Sequence, residues 1–72
     1  MFYTVIEVQN DGTPSVLTTV YSDQNDADAA FFTICAAAAK SAIAYHAAFI
    51  LRSDGIVSRG EVYDRRVVVE VE

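Results

Sequence analysis

One cysteine, Cys35, excludes an internal disulfide. One histidine, His46, and the absence of any CxxC or HxxxH spacing exclude a structural zinc site within one chain. Basic residues are scarce: five Lys and Arg stand against ten Asp and Glu, a net charge of -5. Affinity for a phosphate backbone comes mostly from Lys and Arg, so nucleic acid is a disfavoured partner. Anionic membranes are disfavoured for the same reason. No glycine-rich phosphate loop or dinucleotide fingerprint is present, so no cofactor is expected. The opening Met-Phe-Tyr-Thr-Val lacks a basic region and a small-residue cleavage site. With a free cysteine, that pattern predicts a cytoplasmic location.

A chain of 72 residues has room for one domain and a modest core. Small domains add disulfides, metals or self-association to reach stability. The first two are excluded, and a hydrophobic content of 53% is high for so short a chain. Oligomerisation, with a homodimer as its simplest form, is the remaining device.

Ala29 to Leu51, "AAFFTICAAAAKSAIAYHAAFIL", holds one formally charged residue, Lys40. It is long enough to span a membrane. Lys40 sits near its middle, where a charge costs about 2.5–3.5 kcal/mol, and the many alanines offset little of that. Alanine dominates up to about Ala44, which predicts a helix. Aromatic and β-branched residues enter from Tyr45 to Leu51, which predicts a strand. The stretch is therefore a helix followed by a strand, and no membrane span is expected.

Residues 2–9 and 15–21 read as strands around "NDGTP", where Asp-Gly signals a two-residue hairpin loop. That loop would place Phe2, Ile6, Val8, Leu17 and Tyr21 on one face and Tyr3, Val5, Val16 and Val20 on the other. Ser22 or Asp23 caps the helix, with Asp26 and Asp28 near its positive end. Ala27, Phe31, Ile34, Cys35, Ala38 and Ala42 share its core face. Phe32 and Ile43 lie on an adjacent flank and need cover. "SDGI" marks a second hairpin. A two-residue Asp54-Gly55 loop sets Ala47, Phe49, Leu51, Ile56 and Val62 on an apolar face. His46, Ile50, Arg52, Arg59, Glu61 and Tyr63 then fall on the opposite, exposed face.

The predicted class is α+β, a ββαββ chain. One helix packs on one face of a four-stranded antiparallel sheet of order 2-1-3-4. Residues 1–66 form the domain. Residues 67–72, with Val67 and Val69, extend the last strand or pair with another chain.

"VIEVQNDGT", "SDQNDADAAFF" and "ILRSDGIVSRGEVYD" resemble a group of small uncharacterised bacterial proteins, some associated with mobile elements. The resemblance covers residues 2 to about 66 and rests on turn and cap punctuation. It implies the ββαββ layout and carries over no activity.

No catalytic or metal-binding set is assigned. A Cys35–His46 pair would need hydrogen-bond contact, which the predicted faces deny. Asp11 and Asp54 are explained as turn residues. Three functions remain. The chain is a homodimeric or protein-interaction module, using a surface drawn from Phe32, Ile43, His46, Arg52, Arg59, Tyr63, Val67 and Val69. Alternatively, it is a ligand-binding module or enzyme with a site near Tyr3, Tyr63, His46 and Arg59 at a dimer seam. The third reading is single-stranded nucleic-acid binding on the Arg52/Arg59/Tyr63 face.

Overall fold

A computed structural model describes residues 1–65. In chain order they form β1 (Tyr3–Asn10), β2 (Pro14–Tyr21), α1 (Gln24–Lys40), β3 (Tyr45–Arg52) and β4 (Val57–Asp64). The strands make one antiparallel sheet of order β2-β1-β3-β4, and α1 packs on one face, mainly over β1 and β3. This is the ββαββ fold the turns and caps predict. Val67 and Val69 lie outside the described residues.

Asp23 starts the helix. Its backbone is extended, and its Oδ1 accepts the Asn25 N–H at 2.9 Å. Asp26 lies in the first turn and Lys40 in the last, both matching the helix dipole. The helix stops at Lys40, short of the predicted Ala44. The reason is Ser41. It leaves the helical region at φ -72°, ψ 146°, and its hydroxyl accepts the Ile43 N–H at 3.0 Å. A serine that bonds the backbone two residues on offers the chain a turn in place of another helical bond. Ala42 and Ile43 therefore belong to the connection, not to the helix faces.

Arg65 closes the same helix end from a distance. Its Nη2 donates to the carbonyls of Ala38 and Ala39 at 2.9 and 3.0 Å, and its N–H donates to Ala44 at 2.7 Å. Carbonyls in a last helical turn have no partners within the helix, so this is a C-cap supplied by the far end of the sheet. Arg65→Met is expected to lower unfolding stability by about 1–2 kcal/mol in a urea titration. An unchanged midpoint would show that water replaces the guanidinium without loss.

The two hairpins treat register differently. In the first, Asn10 pairs with Pro14, so the loop has three residues, Asp11 to Thr13, with Gly12 at φ 93°. The extra residue shifts pairing by one from the two-residue prediction. Tyr3, Val5 and Glu7 face the helix side with Tyr21, Thr19 and Leu17, while Thr4, Ile6 and Val8 share the other side with Val20, Thr18 and Val16. The predicted grouping of Leu17 and Tyr21 with Ile6 and Val8 is corrected accordingly. In the second hairpin, Arg52 N–H donates to the Ile56 carbonyl across another three-residue loop, with Gly55 at φ 89°. Here β4 absorbs the extra residue as a bulge at Ser58: Leu51 pairs with Val57, but Ile50 pairs with Arg59. Beyond the bulge the predicted pairs hold, Phe49 with Gly60 and Ala47 with Val62.

The core is small. Val5, Ala48 and Ile50 of the sheet meet Ala27, Phe31 and Cys35 of the helix, with Tyr3, Tyr21 and Tyr63 packed around them. The helix thus covers the face predicted to be exposed, because Ala48 and Ile50 alternate with Ala47, Phe49 and Leu51 along β3. Among the described residues, no helix is long and apolar enough to cross a membrane.

Candidate functional site

Register sorts the sheet into two unlike faces. On the helix side, the cross-strand rows read Thr19–Val5–Ile50–Arg59, Leu17–Glu7–Ala48–Glu61 and Ser15–Gln9–His46–Tyr63. Each row carries an ionisable group. On the open side they read Val16–Val8–Ala47–Val62, Thr18–Ile6–Phe49–Gly60 and Val20–Thr4–Leu51–Val57. These three rows contain no ionisable side chain; the end row on the same side, Pro14–Asn10–Tyr45–Asp64, does. Val16 and Val20 are 59% and 61% exposed, and Val62 is 49% exposed. The small Ala47 lies below its taller row neighbours Val8 and Val62. At the centre, Phe49 lies against Gly60: a Cβ built there would stand 3.0 Å from Phe49 Cδ1. The glycine lets the ring lie close to the sheet and keeps the face level.

His46 is corrected most sharply. It is 2% exposed, on the helix side, and belongs to no free surface. Its Nε2 lies 2.6 Å from Glu7 Oε2 and 3.4 Å from Gln9 Nε2. Its Nδ1 is buried with no hydrogen-bond partner among the described residues. A buried imidazole bonded to a carboxylate is held in one orientation. With its second nitrogen facing the interior, it reads as a structural pair.

Cys35 and His46 share the helix side after all, yet they bond different partners. Cys35 is linked to Tyr63, while His46 is linked to Glu7. Burial pushes the Cys35 thiol up, Glu61 adds to that, and the Tyr63 hydrogen bond partly opposes it. Such a thiol is a poor nucleophile at neutral pH. The shift also has a sign for stability. A thiol whose folded pKa lies above its unfolded value stabilises the fold fully below the unfolded pKa, and that contribution is lost as pH rises through the folded one. The urea midpoint is therefore expected to fall above about pH 9, and to fall less steeply in Cys35→Ala. Parallel slopes for the two proteins would remove Cys35 as the cause.

The three described arginines, Arg52, Arg59 and Arg65, are engaged within the chain. Arg59 Nε donates to Asp28 Oδ1 at 2.9 Å, and its guanidinium lies 5.0 Å from the Phe32 ring centroid. The Asp28 hydrogen bond and charge raise its pKa. Arg52 pairs with Asp54 beside the second loop, and Arg65 caps the helix. Of the predicted surface residues, Phe32, Arg59 and Tyr63 come together, lining a groove between α1 and β4. Arg52 lines a different hollow with Met1 and Tyr3, and Ile43 is half-buried beyond the helix. The open-face residues Ile6, Val16, Val20 and Val62 were missed as a surface. Their alternation is visible, but which side the helix takes is not. Among the described residues, no group of three or more His, Cys, Asp or Glu is placed to hold a metal ion. No family model, curated protein or solved structure matches the chain.

Proposed function

We propose that this chain is a protein-interaction module of the cytoplasm that pairs with a second copy of itself through the open sheet face. The observation that carries this is the distribution of charge over the central rows: each of the three on the helix side holds an ionisable group, the three on the open side hold none, and on that side Tyr45 and Asp64 stand only in the end row beside Asn10. A face meant for water would show the reverse alternation. Four strands about 4.8 Å apart and eight residues at about 3.4 Å each give about 500 Å² per copy in projection. Two such faces bury about 1,000 Å² or more, at the lower edge of specific interfaces. Stacked sheets with their strands within about 30° would let Phe49, Ile6 and the valines interdigitate.

Nucleic-acid binding has less support, since Arg52, Arg59 and Arg65 already bond acceptors of the chain itself. Light scattering across a concentration series tests the dimer. A mass of twice the chain at micromolar concentration is expected. A monomer up to about 1 mM would overturn the proposal, because pairing weaker than about 4 kcal/mol leaves the copies apart at any lower concentration.

A further inference from the structure

Two sheets stacked about a two-fold axis, with their strands within about 30°, leave that axis two directions: along the strands or across them. Along the strands, β1 lies over the partner's β3 and β2 over the partner's β4, and each cross-strand row meets the same row of the other copy. Across the strands, each strand lies over itself, and the rows meet in reverse order about the Ile6 row. The relief of the open face separates the two.

The Ile6 row is uneven. Phe49 leans over Gly60, where a Cβ would stand 3.0 Å from the ring, so one aromatic ring covers the β3 and β4 positions. Ile6 and Thr18 cover the β1 and β2 positions. With the axis across the strands, each ring would lie on the partner's ring and Thr18 on the partner's Thr18. One sheet separation would then overfill the space over β3 and β4 or leave a void over β2, and close packing disfavours both. With the axis along the strands, each ring lies on the partner's Ile6 and Thr18, and the two halves of the layer are equally filled. The neighbouring rows set large on small in the same way, Val8 over the partner's Ala47 and Leu51 over the partner's Thr4. The end row agrees. Asn10 lies over the partner's Tyr45, amide on phenol. Across the strands it would lie over the partner's Phe2, an exposed side chain whose ring offers the amide no hydrogen bond.

We infer that the two copies stack with their two-fold axis along the strands, β2 of each on β4 of the other. This arrangement rests on the open-face pairing proposed above. It sets both 11–13 loops at one end of the pair and both 53–55 loops at the other.

The test is an isotope-filtered NOE spectrum of a pair in which one copy carries labelled valine methyls. Within one chain β2 and β4 are three strand spacings apart, about 14 Å, too far for a methyl NOE. Intermolecular cross-peaks from Val16 or Val20 to Val57 or Val62 are expected. Cross-peaks from β2 to β2 and from β4 to β4 would overturn the axis and leave the pairing standing. No intermolecular cross-peak on the open face would sink the pairing and the axis together. Thr18→Phe, at an exposed position, checks the sign. It is expected to weaken pairing at least about tenfold by light scattering, because ring then meets ring on both sides of the axis. Unchanged or tighter pairing would overturn the axis, since an axis across the strands leaves room over Thr18.

Discussion

Phe31→Ala is expected to cost about 3–5 kcal/mol, the largest loss from any single truncation in this chain. Phe31 and Ile50 are the largest fully buried side chains, and Phe31 alone supplies the bulk of the helix's contribution, because the other buried helix residues are Ala27, Cys35 and Ala38. Alanine at that position would open a hole between α1 and the sheet that the alanines around it cannot fill. A domain of this size has about 4–11 kcal/mol in total, so the variant should lose a third or more of its stability. In urea the midpoint should fall by about 2 M or more. Phe31→Leu, which keeps most of the volume, should cost less than half as much. A loss under about 1 kcal/mol for the alanine variant would mean that the helix is held mainly at its ends, by Asp23 and Arg65.

Ile6→Lys is expected to weaken self-association at least about 100-fold while leaving each copy folded. Ile6 lies in the central open row between Thr18 and Phe49. In a two-fold interface the same patch appears on both partners, so one substitution enters twice. Two ammonium groups would then enter a layer whose three central rows hold no carboxylate, Asp64 standing in the end row, two rows from Ile6. In the separate chain the lysine extends into water, and its stem still covers part of the face. Leu17→Lys is the control. It is exposed and lies on the helix side of the outer strand, and should leave association unchanged. If both variants weaken pairing equally, the effect is one of net charge. If neither does, two copies meet elsewhere.

The elements were legible because their ends carry strong local chemistry. Asp23 caps the helix, the two Asp-Gly turns close the hairpins, and Pro14 begins an outer strand. The sides of the sheet were not legible, and one residue explains why. Asp-Gly fits both a two-residue loop and a three-residue loop, and the difference reverses every side chain of β2. The second hairpin escaped that error because the Ser58 bulge cancels the added residue. The face chosen by the helix was misread for another reason. Ala47, Phe49, Leu51 and Val62 are the more apolar set, so simple burial puts the helix on them. The helix instead takes Ala48 and Ile50, on the side where the polar groups find partners: Glu7 of β1 bonds His46 of β3, Asp28 of the helix bonds Arg59, and Arg65 bonds the last helical turn. Those partners are 39, 31 and 27 residues apart, beyond what any local pattern can show.

The contrast between the hairpins bears on how this chain can tolerate change in length. The 53–55 loop is buffered: a residue lost there can be compensated three positions later by straightening the strand at Ser58, and the inner rows stay in step. The 11–13 loop has no such reserve. A chain one residue shorter at Thr13 would turn its outer strand inside out, exchanging Val16 and Val20 for Leu17 and Tyr21 across the sheet. A single codon there separates two molecules of almost identical composition, one with a smooth aliphatic exterior and one with a tyrosine at its edge and a thinner core.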